Sequence, residues 1–288
     1  MAHLQRQSAT VAVVSRTLGL VSALIDDAAV FPPGNAPLKE AVQAHYGYRD
    51  SRYEELVGPL LVPASGVESL RELVDPNQYL SLGVIGDTGL EGLIAARNAV
   101  QDDAWIEVNQ FELRLSDSAD VVGRLRQLLQ SLPFTAPTYI ELSPTSDIEA
   151  AMAALAEDGV ERAKFRCGPD TVPSSEQLAR FIHAAATHSV PFKLTAGLHH
   201  ALPYNDASTR VRQHGFINTL AATWEALIGG ERTAVAELLD SDDAQLLLNV
   251  LADADVGRLR SVYRSFGSCS IAEPYEELLH LGLIDEEA

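Results

Sequence analysis

Between residues 57 and 195 the chain alternates short apolar runs with helical stretches, and this rhythm limits the folds open to it. The runs fall at 57–62, 79–85, 105–108 (prolonged through 111–115), 138–142, 162–166 and 191–195. Helical periodicity fills 65–74, 89–100, 119–132, 147–158 and 174–188 between them. Strands alternating with helices of this length predict βαβ units and a parallel sheet. No Gly-x-Gly-x-x-Gly fingerprint opens any of the helices, which favours a closed barrel over a dinucleotide-binding sheet. The rhythm therefore predicts an α/β chain folded as a (β/α)8 TIM-type barrel with an extra N-terminal helical segment. A single domain is expected over 1–288, with 1–56 as the helical extension and 57–288 as the barrel and C-terminal helix. Beyond residue 205 the rhythm blurs. Residues 214–220 are the candidate seventh strand, and 245–251 or 265–270 the eighth, although these segments also fit helices.

The leading piece carries Val11, Val14, Leu18, Val21 and Ile25 at helical spacing. Arg16 interrupts this stretch, and residues 10–25 are too few to span a bilayer. Asp26–Asp27 and Pro32–Pro33 follow in place of a cleavage site, so the segment reads as an amphipathic helix, not a signal peptide. The two aspartates read first as a helix cap or a turn, and second as a lid or metal ligands over the barrel mouth.

Composition narrows the partners. The net charge of −19 repels polyanions, and no run of Lys and Arg exists to follow a nucleic-acid backbone. A chain of 288 residues with 47% hydrophobic and 21% charged residues is ordinary for a globular protein. Cys167 and Cys269 form neither a CxxC pair nor a zinc spacing, and read as reduced thiols of a cytoplasmic protein. No membrane partner and no cofactor or metal is expected; a homodimer through terminal apolar helices is open.

The chemistry concentrates on two strands. Lys164 and Arg166 are two residues apart, so a strand turns both to one face. The C-terminal mouth of a barrel accommodates such cations, because active sites sit there and anions neutralise them. The alternative is a structural pairing with Glu107 or Glu141 on neighbouring strands. Lys193 and Thr195 share a face of the next strand, Gly197 relaxes its end, and His199 and His200 follow. Adjacent histidines diverge, so one is expected at the site and the other in a structural role. His214 and Asn218 fall on one face if 214–220 is a strand, as acid/base and orienting group; a helix start is the competing reading. Ser265-Phe-Gly-Ser-Cys-Ser270 offers either an anion nest or, more simply, a polar turn before a last helix over 273–281.

Lys164 with Gly168 and Phe192-Lys193 with Gly197 resemble the Lys-x-x-x-Gly and Phe-Lys-x-x-x-Gly signatures of deoxyribose-phosphate aldolase and related class I aldolases. The resemblance covers residues 159–200. It implies that Lys164 forms a Schiff base, that Lys193 lowers its pKa, and that a carboxylate from an earlier strand relays protons, here Glu107 or Glu141. Arg166 and Cys167 replace the family's small hydroxyl residues, and Ala196-Gly197 replaces its Gly-Gly turn. A third cation at Arg166 suits a carboxylate or phosphate better than a neutral sugar.

The expected function is accordingly a lyase acting on a small anionic carbonyl metabolite. Lys164, Lys193, Glu141 and His199 are the candidate catalytic residues. Arg166, Thr195, His214, Asn218 and Glu107 are candidate substrate contacts. A metal enzyme using Glu107, Glu141, His199 and His214, and a metabolite-binding barrel without catalysis, are the competing expectations.

Overall fold

The computed structural model of the chain describes residues 19–116, 118–168, 172–207 and 209–285. Eight strands close into one parallel barrel: β1 Ile25–Asp27, β2 Val57–Pro63, β3 Leu80–Ile85, β4 Ile106–Arg114, β5 Thr138–Leu142, β6 Arg162–Arg166, β7 Phe192–Thr195 and β10 Tyr263–Ser268. Around the ring they run β1, β2, β3, β4, β5, β6, β7, β10, and β10 pairs with β1 to close it. A two-stranded antiparallel pair, β8 Tyr204–Asn205 and β9 Arg212–Gln213, stands outside the ring.

The barrel opens at Ile25, not at Val57. Ile25 sits opposite Phe266 of β10 and Val57 of β2, and Asp27 opposite Ser268 and Leu60. The aspartate pair is thus the body of the first strand, not a cap or turn. The helix expected over 10–25 lies mostly outside the described residues; a helical turn is seen at 19–21.

The last strand is the one of the two alternatives that contains Ser265, so the polar turn expected at 265–270 is a barrel strand instead. The segment 214–220 is not a strand. His214 precedes the helix Phe216–Leu227, and 245–251 lies within the helix Ala244–Ala252.

Strands β4 to β7 present an apolar face outward and a polar face inward. On β6, Ala163 and Phe165 face out, and Phe165 stacks on Phe181 of the helix Ser175–His188 with ring centroids 4.5 Å apart. Phe181 continues edge-on to Phe192, and Phe192 to Tyr263, so one aromatic chain ties β6, β7 and β10 to the helical layer. Because successive side chains alternate, burying Phe165 outside the barrel turns Lys164 and Arg166 inside it. The helix over β6 is anchored by a capping box: Ser174 Oγ accepts from Gln177 N, and Gln177 Oε1 accepts from Ser174 N. Asp147 caps the preceding helix Ile148–Asp158, and left-handed Gly159 ends it immediately before β6. These end signals fix where β6 enters the barrel, and hence how high Lys164 stands in it.

Candidate active site

The inward residues stack in tiers. The lowest is a buried charge cluster. Lys193 Nζ donates to Asp26 Oδ2 and to Glu112 Oε1, and none of the three is more than 1% exposed. Gln110 Nε2 and Ser265 Oγ donate to the same Asp26 oxygen at 2.9 and 3.0 Å. The Tyr139 ring lies 5.4 Å from Lys193 Nζ. One tier higher, Lys164 Nζ bonds Glu112 Oε2 at 2.6 Å and Glu141 Oε2 at 2.9 Å. Glu112 therefore stands between the two lysines, one carboxylate oxygen to each.

Burial disfavours the charge on Glu112, but Lys164 and Lys193 outweigh it and hold the carboxyl at about 2, below its ordinary 4.5. Burial likewise opposes the charge of Lys193; Asp26 and Glu112 reverse this and hold it above the ordinary lysine range. Lys193 is thus a fixed ammonium whose charge is spent on two carboxylates. Because the folded pKa of Glu112 is depressed, its contribution to stability is complete above about 4.5. That contribution is lost as pH falls toward 2. The expected loss is on the order of 3 kcal/mol. Urea midpoints measured across the acid range should show it, and the Glu112→Gln variant should lack it.

Above the lysines lies a cavity of about 430 Å³. Ile85, Arg114, Arg166 and Thr195, each the last residue of its strand, line it, so it occupies the C-terminal mouth of the barrel. Lys164 and Glu141 form its charged floor. Tyr204, Asp206, Thr209 and Gln213 come from the β8–β9 excursion and cover one side. At the end of β7 the chain turns left-handed at two successive residues, Ala196 (φ 62°) and Gly197 (φ 75°). A Cβ at position 197 would stand 2.7 Å from the Cys167 carbonyl oxygen, so the approach of the two loops requires glycine there. Left-handed backbone at a non-glycine residue costs about 1–2 kcal/mol, and such strain gathers at functional sites.

Of the residues expected from sequence, Lys164, Glu141, Arg166, Thr195 and His199 meet at this cavity, and Lys193 lies directly beneath it. His199 stands at the rim with Nδ1 3.6 Å from Glu273 Oε2 and 3.9 Å from Cys269 Sγ. Burial lowers its pKa and favours a neutral ring, although Glu273 pulls the other way. His200 points elsewhere and pairs with Glu277. Both cysteines are free thiols.

Three expected contacts are not at the site. Glu107 lies near the N-terminal end of β4, exposed, five residues below Glu112. The register of β4 against β3 also shifts between Leu82 and Gly83. His214 Nε2 bonds the Pro173 carbonyl at 2.8 Å, beneath the loop before the helix Ser175–His188. Asn218 is fully buried and donates to the carbonyls of Leu238 and Ser241 at 2.7 and 2.8 Å, tying its helix to the end of the next. With Glu107 and His214 elsewhere, the metal set expected from them does not assemble. Among the described residues no cluster of three or more His, Cys, Asp or Glu is placed to hold a metal ion, and no helix is long and apolar enough to cross a membrane.

Sequence reasoning placed Asp26 in a cap, a turn or a lid, and missed Glu112, Gln110 and Arg114 altogether. Glu112 and Arg114 had a signal: Phe111-Glu-Leu-Arg-Leu115 alternates apolar and charged residues, the mark of a strand with one charged face. No protein-family model and no curated protein matches this chain. The likeness to the class I aldolases therefore rests on the two lysine motifs alone.

Proposed function

We propose that the chain is a carbon–carbon lyase in which Lys164 forms an imine with a small anionic carbonyl substrate. The observation that carries this reading is the placement of Lys164 Nζ on the cavity floor between Glu112 and Glu141. An ammonium cannot attack a carbonyl, so the proton must first leave. Glu112, held at about 2 by two lysines, is a poor acceptor. Glu141 faces Lys164 directly and also lines the cavity, so it is placed to pass a proton between Lys164 and a substrate.

The step balances within the site. Glu141 takes one proton from the ammonium, and the neutral amine adds to the carbonyl carbon. Glu141 then returns that proton, and the former carbonyl oxygen departs as water. The product is a protonated imine with the same net charge as the starting ammonium. The bond between the carbons α and β to the imine then breaks: the β-hydroxyl gives its proton to Glu141 and becomes the carbonyl of the departing fragment, the bond's electrons form an enamine, Glu141 returns the proton to the α carbon, and water releases Lys164 from the imine. Lys193 supports the reading indirectly: it fixes Glu112 in its charged form and so fixes the geometry beneath Lys164. This differs from the role that the resemblance implies, because Asp26 and Glu112 offset the charge of Lys193 before it reaches Lys164.

Borohydride reduction tests it. The protein incubated with pyruvate, glyoxylate, acetaldehyde or longer α-keto acids and then reduced should gain the mass of one adduct on the peptide carrying Lys164. Lys164→Met should abolish the adduct. Absence of labelling across this panel, or labelling that survives the substitution, would remove the imine.

A further inference from the structure

The cavity is two-sided. The apolar lining comes from three successive strands: Leu61 on β2, Ile85 on β3, and Ala28, Phe31 and Pro32 just after β1. The charged lining comes from the next three: Arg114 on β4, Glu141 on β5, and Lys164 and Arg166 on β6. In a ring of eight, β2 stands across from β6, so Leu61 faces Lys164 over the cavity. Leu61 also has room to spread. Its Cδ2 would lie 2.5 Å from a Cβ at Gly83, so that glycine leaves the space it fills, and its Cδ1 reaches to ordinary contact distance of position 267 on β10. A ligand serving only charge would leave this apolar half wet.

The charge count limits the anion. Among the described residues, three cations (Arg114, Lys164, Arg166) and two carboxylates (Glu141, Asp206) line the cavity, leaving one net positive charge among them. Beneath them, Asp26 and Glu112 against Lys193 leave one net negative charge, so the two tiers together are neutral and a dianion would leave twice the uncompensated charge of a monoanion. Arg166 lies two residues past Lys164 on the same face, about 6.6 Å along the strand. A carboxylate held there stands within a few bonds of a carbonyl at Lys164.

We infer that the ligand of this cavity is an amphipathic monocarboxylate: a keto acid whose carboxylate meets Arg166 and whose apolar chain crosses to Leu61 and Ile85. This names the substrate class and rests on the reading that Lys164 faces the substrate carbonyl. Dianionic phosphates and short polar keto acids are the poorer fit.

Calorimetric titration of the full chain tests it with probes that hold no carbonyl, so the result stands apart from imine formation. The probes are acetate, hexanoate, hexan-1-ol and hexyl phosphate. Each buried methylene is worth about fourfold in affinity. Hexanoate should therefore bind at least about tenfold tighter than acetate, and tighter than the alcohol and the phosphate. Arg166→Gln should weaken acetate and hexanoate alike and leave the alcohol unchanged. Ile85→Ser should weaken hexanoate more than acetate. Equal binding of acetate and hexanoate by the unaltered protein overturns the proposal. So does hexyl phosphate or hexan-1-ol binding as tightly as hexanoate, or no binding by any probe. A negative borohydride result beside the expected calorimetric order would sink the imine and leave the ligand class standing.

Discussion

Glu112→Gln should destabilise the protein by about 3–5 kcal/mol at neutral pH, the range for removing one partner of a buried ion pair. Glutamine keeps the shape and one acceptor oxygen but removes the charge that Lys164 and Lys193 share. Lys193 would keep Asp26, and Lys164 would keep Glu141, so each lysine goes from two anions to one. Lys164 is only 4% exposed and Lys193 not at all, so water cannot replace what is lost. A fall in Tm on the order of 10 °C follows for a chain of this length. Scanning calorimetry would measure it. The double variant Glu112→Gln/Lys193→Met should cost less than the sum of the two single changes, by at least about 1 kcal/mol, because both remove the same contact. A single variant that melts within a degree or two of the parent would show that the cluster adds little to the fold.

The barrel was legible because six strands sit in long βα units whose apolar periods are clean. The first strand was not: Ile25–Asp27 has three residues, two of them charged, too few for any period to declare itself. Its neighbours, not its own propensity, make it a strand, since β10 and β2 supply the backbone partners on either side. The ambiguity at 214–220, where strand and helix start both fit and the helix is found, has a different cause. The helix Phe216–Leu227 is buried at every residue but Glu225, so it shows no polar face and mimics a buried strand. Losing β1 at one end forced a spurious seventh strand at the other.

The same causes shaped the reading of the site. Lys164, Arg166, Lys193 and Thr195 were legible because β6 and β7 alternate strictly and end at glycines. Glu141 followed from the same alternation on β5. Glu107 stands as the candidate and Glu112 goes unnoticed because β4 runs for nine residues with a register shift, and sequence cannot say which end reaches the mouth. Asp26 stood out as one of a carboxylate pair, but its place inside the barrel was out of reach once β1 was. The carboxylate between the two lysines, on which the chemistry of the pair depends, is thus a product of barrel closure and strand register, neither of which is local to its own sequence.

That dependence gives Lys193→Met a signature that no simple loss of packing would share. Methionine fills most of the volume of the lysine stem, so the change chiefly deletes the ammonium. Asp26 and Glu112, which both bond Lys193 Nζ, are then left as two buried carboxylates facing one position. Like charges in a buried site raise a carboxyl pKa, so the pair should take up a proton on folding. A group whose folded pKa is raised gives its full contribution below its unfolded value and loses it as pH rises through the folded one. The variant should therefore be about 3–5 kcal/mol less stable than the parent at pH 7, and should recover part of that loss on acidification to about pH 5. The parent should show no such gain, because its Glu112 contribution only declines with acid. Urea midpoints of both proteins across this range decide the matter. A variant whose deficit is the same at both pH values would mean that the ammonium of Lys193 does not hold the two carboxylates in their charged form. Glu112 would then owe its charge to Lys164 alone.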